Sequence, residues 1–356
     1  MRTASFRTSR GYTILAAILD ELAFWHSEES ANPASEVITA IIPGLATIPS
    51  SLLLAISTPY ARSGPLYEVF REAYRAEDNN APLVWKASTL AMNPTFDERR
   101  IKTLWKRDSI AARSEYEAEF REDLETYLST EQLDAVIIPG RQMLPPDRHH
   151  SYFAFVDVSG GRGDSFALAV AHREGEAVVV DRVEEVRAPI AQPSNVVASF
   201  SEILKGYGIS SVIGDRYGGN WSSGKFRKFG IIYEDSKWDK SEVYIQFQAI
   251  MAMRRVELAE LSRLRTQLLQ LERRTHSGGK DVVDHPEGLH DDVANATAGV
   301  VTLAFQERIW DSEEVEAHLP TTIHKGDPFG SDERLKNIEK EMEDWMRETG
   351  CSKIMR

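Results

Sequence analysis

An apolar run from Tyr152 to Val158, broken by a single carboxylate at Asp157, constrains this chain more than any other stretch. Its aromatic and β-branched side chains fit a pleated, packed surface, so it reads as a buried strand. Glycines at 160, 161 and 163 mark a turn, and a second apolar run follows from Phe166 to Ala171. An acid so near the core is costly unless something pairs with it. Metal ions, shared with acids arriving later in the chain, are the obvious partners.

Composition bounds what surrounds this strand. The 356 residues suit one large domain or two ordinary ones, and 42% hydrophobic with 27% charged residues is the balance of a soluble globular protein. No apolar run is long enough to span a bilayer, and the N-terminus carries no export signal, so a cytoplasmic protein with no membrane partner is expected. The lone cysteine, Cys351, excludes a disulfide framework and a cysteine-based zinc site. The net charge, 42 − 55 = −13, counts against broad affinity for nucleic acid but leaves room for a local basic groove.

Upstream, residues 12–21 form a hydrophobic strand ending in Asp20-Glu21, and residues 51–59 form a second one ending in Ser57-Thr58-Pro59. The acid pair matches the element that holds Mg²⁺ and orients water in ATP hydrolases, or it simply begins a turn after a buried strand. With a helical stretch from Pro33 to Ile42 between them, the strands predict a parallel βαβ unit. Helices are expected over Pro65–Tyr74, Phe96–Trp105 and Ser109–Leu128, and residues 134–150, with Pro139-Gly140 and Pro145-Pro146, read as a linker. No phosphate-binding loop precedes Asp20. The one GxxxxGK match, Gly219 to Lys225, is followed by Phe226 where a magnesium-binding hydroxyl belongs, and reads as a decoy.

Beyond the linker, strands at Tyr152–Val158, Phe166–His172 and Ala177–Arg182 predict an antiparallel meander. A helix from Pro193 to Tyr207 leads to a short strand, Ile209–Asp215, which a crossover makes parallel to an earlier strand. If that neighbour is the first strand, Asp157 and Asp215 sit side by side at matching C-terminal ends, where open α/β sheets place their sites. Helices are further expected over Lys240–Met253 and Leu258–Arg274, a polar flexible loop over Thr275–Glu287, and a helix beginning at His290-Asp291-Asp292. Its Ala294, Ala296, Ala298 and Gly299 permit a close approach to the sheet.

Hydrolysis of a phosphodiester by two metal ions needs several carboxylates around cations about 3.5–4 Å apart. Asp157, Asp215 and the Asp291-Asp292 pair can supply that shell, and oxygen donors suit Mg²⁺ or Mn²⁺. Asp292 shares a helical stripe with Ala296, Gly299, Val300 and Leu303 and is the better candidate to face the sheet, with Asp291 or His290 assisting. Each acid alone is more often a strand-end turn or a helix cap. Their order along the chain points to a ribonuclease-H-like nuclease core. The expected fold class is therefore α/β: the βαβ unit, which if it belongs to an ATP hydrolase is a partial P-loop-type ATPase sheet without its phosphate loop, then a ribonuclease-H-like mixed-sheet nuclease domain.

Up to about Phe305 the chain resembles the large subunit of a tailed-bacteriophage terminase, the DNA-packaging ATPase and nuclease. The resemblance rests on residues 18–21, 56–59, 93–95 and 115–120 in the first part, and on 155–157, 212–217 and 290–295 in the second. It implies Asp20 and Glu21 as the Walker B acids and Ser57-Thr58-Pro59 as the segment coupling hydrolysis to movement. It also implies Asp157, Asp215 and Asp292 as nuclease metal ligands. The domains would be a partial ATPase domain (1–133), a linker (134–150), a nuclease domain (151–307) and a charged tail (308–356). The family's first strand and phosphate loop are missing, so ATP is expected only in an intact full-length form, as if the chain were N-terminally truncated. Partners implied are double-stranded DNA, the portal protein, the small terminase subunit and further copies of the chain on the portal. The function expected is endonucleolytic cutting of concatemeric viral DNA. The alternatives are an idle prophage remnant or docking module, or another ribonuclease-H-like enzyme such as a resolvase or integrase, for which Asp20-Glu21 would be useless.

The densest basic group is Arg254, Arg255, Arg263, Arg265, Arg273 and Arg274. It either tracks DNA phosphates or pairs with acids such as Glu257, Glu260 and Glu272 on a solvated face. Trp221 and Trp238 read as packing residues, Arg162-Gly163-Asp164 as a tight bend, and Asp332–Glu348 as a helix in the tail.

Overall fold

The computed structural model describes residues 11–78, 80–158, 165–215, 219–275 and 281–307. Nearly all of them belong to one compact unit, residues 1–276 with 280–305. The glycine turn after Val158, Arg162–Asp164 and the tail helix expected over Asp332–Glu348 lie outside the described residues.

Two parallel strands open the chain, β1 (Ala16–Asp20) and β2 (Leu52–Ile56), joined through helix α1 (Pro33–Ala46). This is the expected βαβ unit. Pro33 opens the helix, where its missing N–H costs nothing. Val37, Ile41 and Leu45, spaced four apart, pack with Leu19 and Leu22. The apolar residues of β2 stay open to solvent: Leu52 is 56% exposed and Ile56 51%. Helices α2 (Gly64–Ala73), α3 (Thr89–Met92), α4 (Glu98–Arg107) and α5 (Ser109–Glu117) follow.

Here the single helix expected over Ser109–Leu128 is overturned. Ala118 turns left-handed (φ 55°, ψ 41°) and ends α5. Phe120 then packs on Tyr67 and Phe70, and residues Leu124–Thr126 become β3. The spacing of apolar residues is helical, but Leu124 pairs with Arg274 across a sheet, and tertiary pairing prevails over periodicity. Helix α6 (Thr130–Asp134) carries a reciprocal capping box between Ser129 and Gln132. It leads to β4 (Ile137–Ile138), so the stretch expected as a linker contributes a strand.

The main sheet has seven strands. The meander is present as β5 (Tyr152–Val158), β6 (Phe166–Glu174) and β7 (Ala177–Val186), all antiparallel. Helix α7 (Pro193–Gly206) crosses to β8 (Ser211–Gly214), parallel to β5. Helix α8 (Gly219–Lys228) then leads to β9 (Ile232–Asp235), parallel to β8. Helix α9 (Lys240–Ala252) leads to β10 (Val256–Ala259), which inserts in parallel between β7 and β4. The spatial order is β4-β10-β7-β6-β5-β8-β9. A three-stranded antiparallel meander with parallel strands added beside its first member is the ribonuclease-H-like arrangement.

The helix expected over Leu258–Arg274 is three elements instead: the end of β10, helix α10 (Ser262–Gln270) and β11 (Glu272–Thr275). Leu264 and Leu268 keep the helical spacing and are fully buried, whereas Leu258 is buried in the sheet. Part of the expected flexible loop, Asp281–Asp284, is β12, which pairs with β11. Helix α11 (Asp292–Glu307) closes the described chain.

Both faces of the main sheet are covered. Ala154, Val156 and Val158 of β5 pack with Val197, Phe200 and Leu204 of α7. Phe155, on the opposite face, packs with Ala296, Val300 and other residues of α11. Alternation along the strand therefore puts Asp157 on the α11 side. Among the described residues no helix is long and apolar enough to cross a membrane.

Candidate active site

Strand register sets the first two acids. Val156 of β5 lies opposite Gly214 of β8, and the next residue of each strand is Asp157 and Asp215. They leave the sheet together at the same end of two parallel strands, as the sequence predicts. Gly214 is required here: a Cβ would lie 2.5 Å from the hydroxyl oxygen of Tyr233, which donates to the Asp215 carbonyl at 2.9 Å.

Helix α11 brings the third acid. Gly299 faces Phe155 so closely that a Cβ would lie 2.5 Å from the ring, so the helix reaches the sheet because residue 299 has no side chain. Earlier in the helix, Asn295 donates its amide to Asp157 Oδ2 at 2.7 Å. Asp292, 6% exposed, opens the helix, and its Oδ2 accepts from the Ser165 backbone at 3.3 Å. Gln267 of α10 caps the same end, accepting the Ala294 N–H at 2.9 Å.

The electrostatics are those of a crowded anionic centre. Burial pushes the Asp157 carboxyl well above the usual carboxylate range; the charge on Asp292 adds to this, as do Asp291 and Asp215, while the Asn295 amide opposes it. An oxygen-only set of this kind suits a hard divalent cation, whose charge relieves the repulsion.

Asp291 is placed differently from its neighbour. Buried at 5% exposure, it accepts from the Tyr244 hydroxyl at 2.7 Å and from Lys240 Nζ at 2.9 Å. Lys240 also reaches Asp284 at 2.8 Å. Asp284, His285 and Asp291 have ligand atoms all within 4.8 Å of one another. His290 faces Glu28 at 3.8 Å.

The earlier acid pair is also assembled. Asp20 ends β1 opposite Ile56, so the residues that follow, Glu21 and Ser57, are neighbours. Glu21, left-handed at φ 53°, has its Oε2 3.4 Å from both Ser57 Oγ and the Thr58 N–H. The GxxxxGK match lies within helix α8, not in a loop, and Lys225 reaches Ser194 at 2.8 Å.

The basic group meets acids. Arg255 pairs with Glu176, Arg263 with Glu28 and Glu185, Arg265 with Asp134, Arg273 with Asp281, and Arg274 with Glu272. Of these acids, Glu272 alone is one that the sequence nominates. Trp238 is packed against the core.

Sequence reasoning missed Lys240, Tyr244, Gln267 and Asp284 beside the acids. Lys240 and Tyr244, four apart on one helix face, offer the only pattern, and it is shared by many helices.

No family model matches the sequence, and no curated protein does. Among solved structures, the chain is similar to the magnesium-bound large terminase nuclease of thermophilic phage G20c, at 18% identity and TM-score 0.43, over 51% of this chain and 97% of that one. It is also similar to the large terminase of bacteriophage HK97, at 17% identity and TM-score 0.43, over 83% of this chain and 71% of that one. The large terminase of another thermophilic bacteriophage is a third, at 10% identity and TM-score 0.42, over 85% of this chain and 72% of that one.

Proposed function

We propose that the chain is a metal-dependent DNA endonuclease in which Asp157, Asp215 and Asp292 hold two divalent cations, Mg²⁺ or Mn²⁺. The observation that carries this is the convergence of the three acids from β5, β8 and α11, with the Asp157 carboxyl pushed up by burial and by the charge on Asp292. Such ions, when bound, lower the pKa of the attacking water and stabilise the leaving oxygen.

The chain's own residues supply the frame. Asp157 and Asp215 project from the rigid ends of paired strands, and Asn295 fixes the rotation of the Asp157 carboxylate by holding one oxygen. Gln267 and the Ser165 N–H hold the start of α11 and Asp292. We infer that residues 151–307 act as the nuclease domain. The Asp20-Glu21 and Ser57-Thr58 pairing supports the narrower reading, a terminase large subunit cutting concatemeric phage DNA with a portal and a small subunit as partners.

The test is plasmid cleavage by the purified chain with Mn²⁺ or Mg²⁺, beside Asp157→Ala and an EDTA control. Metal-dependent nicking abolished in the variant is the expected result. A folded wild-type chain that leaves the plasmid intact would sink the nuclease reading in favour of an idle docking module.

A further inference from the structure

Asp284, His285 and Asp291 form a compact group of metal-ligating types, yet a cation already stands among them. Lys240 Nζ lies 2.8 Å from Asp284 and 2.8–2.9 Å from the two oxygens of Asp291. Its backbone is held in place. Lys240 is the first residue of α9, whose start is locked by a reciprocal capping box between Asp239 and Glu242. The next residue, Ser241, accepts the Val283 N–H at 3.2 Å and ties this turn to β12. One turn on, Tyr244 donates to Asp291 Oδ2 at 2.7 Å. Both oxygens of Asp291 are thus engaged by α9, while burial disfavours the ammonium charge but Asp291 and Asp284 prevail and hold it above its usual range.

We propose that Lys240 is a positioning residue of the metal centre: a built-in cation that keeps Asp291 out of the ion shell and denies the Asp284–His285–Asp291 group to a divalent ion, leaving Asp292 as the carboxylate that α11 presents. This rests on the two-ion reading above. Two adjacent acids at a helix start would otherwise compete for the same ions, and a stray ion at Asp291 would draw the helix end away from Asp157. A fixed ammonium supplies charge compensation without that competition, as partners behind a metal's ligands commonly do.

The experiment is a Mn²⁺ titration of the full chain, followed by the electron paramagnetic resonance signal of free Mn²⁺, which reads binding without cleavage. Lys240→Met should bind one Mn²⁺ more per chain than wild type, and Lys240→Arg should restore the wild-type number. A folded Lys240→Met with the wild-type number overturns the proposal. Should Lys240→Met fail to fold, Asp291→Asn decides: the shape is kept, and the Mn²⁺ number should stay that of wild type. A fall in that number makes Asp291 a ligand and overturns the proposal. Asp157→Ala in the same titration separates the two levels, since an unchanged Mn²⁺ number there refutes the metal centre itself, whatever Lys240 does.

Discussion

Asn295 on α11 holds Oδ2 of Asp157 on β5 at 2.7 Å, joining residues 138 apart in sequence. It is a direct hydrogen bond between the helix that carries Asp292 and the strand that carries Asp157. Because Asn295 is 2% exposed, water cannot readily replace the lost donor. Asn295→Leu should cost about 1–3 kcal/mol in urea unfolding without metal. Asn295→Asp adds a further buried carboxylate beside Asp157, so its melting temperature should gain more from Mn²⁺ than that of wild type. Equal gains would mean that residue 295 does not sense the ion.

Helix α11 reaches the sheet only because Gly299 lacks a side chain. A methyl at this position would sit 2.5–2.6 Å from three atoms of the Phe155 ring, itself 3% exposed and unable to yield. Gly299→Ala should therefore destabilise by about 1–3 kcal/mol, the usual cost of overpacking a core. The double variant Gly299→Ala, Phe155→Leu should recover part of that loss. Unfolding at wild-type denaturant concentration would show that α11 is free to shift.

Gln267 is a cap supplied from another element. Its Oε1 takes the Ala294 N–H at 2.9 Å, its Nε2 is buried without a hydrogen-bond partner among the described residues, and the side chain is 2% exposed. Gln267→Leu leaves a buried N–H unsatisfied at the start of α11, at a cost of about 1–3 kcal/mol. Hydrogen exchange should show it locally, with faster exchange at Ala294 and its neighbours than in the β5–β6 ladder. Uniform acceleration over the whole sheet would mean that the cap acts only on global stability.

How much of this can be read in the sequence depends on where the partners lie. Strand type, meander and crossover follow from alternation and from turn residues close in the chain; that β8 pairs with β5, which puts Asp157 beside Asp215, is left open by the sequence. The small residues of α11 likewise signal a close approach, and Gly299 against Phe155 is that approach. Where a segment's fate is decided by a distant strand, the pattern misleads. Leu124 and Arg274 each lie in an expected helix and instead pair with one another across about 150 residues. The counter-charges are equally hidden. Lys240 meets Asp291 from 51 residues away in the chain, and no local spacing predicts that meeting.

His26, in the segment after the acid pair, gives a pH-dependent signature of the first strands. Burial lowers its pKa from the ordinary value of 6.5, against the opposing pull of Glu272. The folded state thus binds its proton less readily than the unfolded chain does. The sign follows: the stabilisation is fully present above about pH 6.5 and is lost as pH falls from there through the lowered folded value. Asp284 and Asp123, whose carboxyls are held below the ordinary carboxylate value, titrate in a lower range. Thermal melts at about pH 7.5 and about pH 5 should show wild type losing more stability than His26→Gln between those points. Parallel losses in the two proteins would mean that the imidazole is as free to take a proton in the folded chain as in the unfolded one.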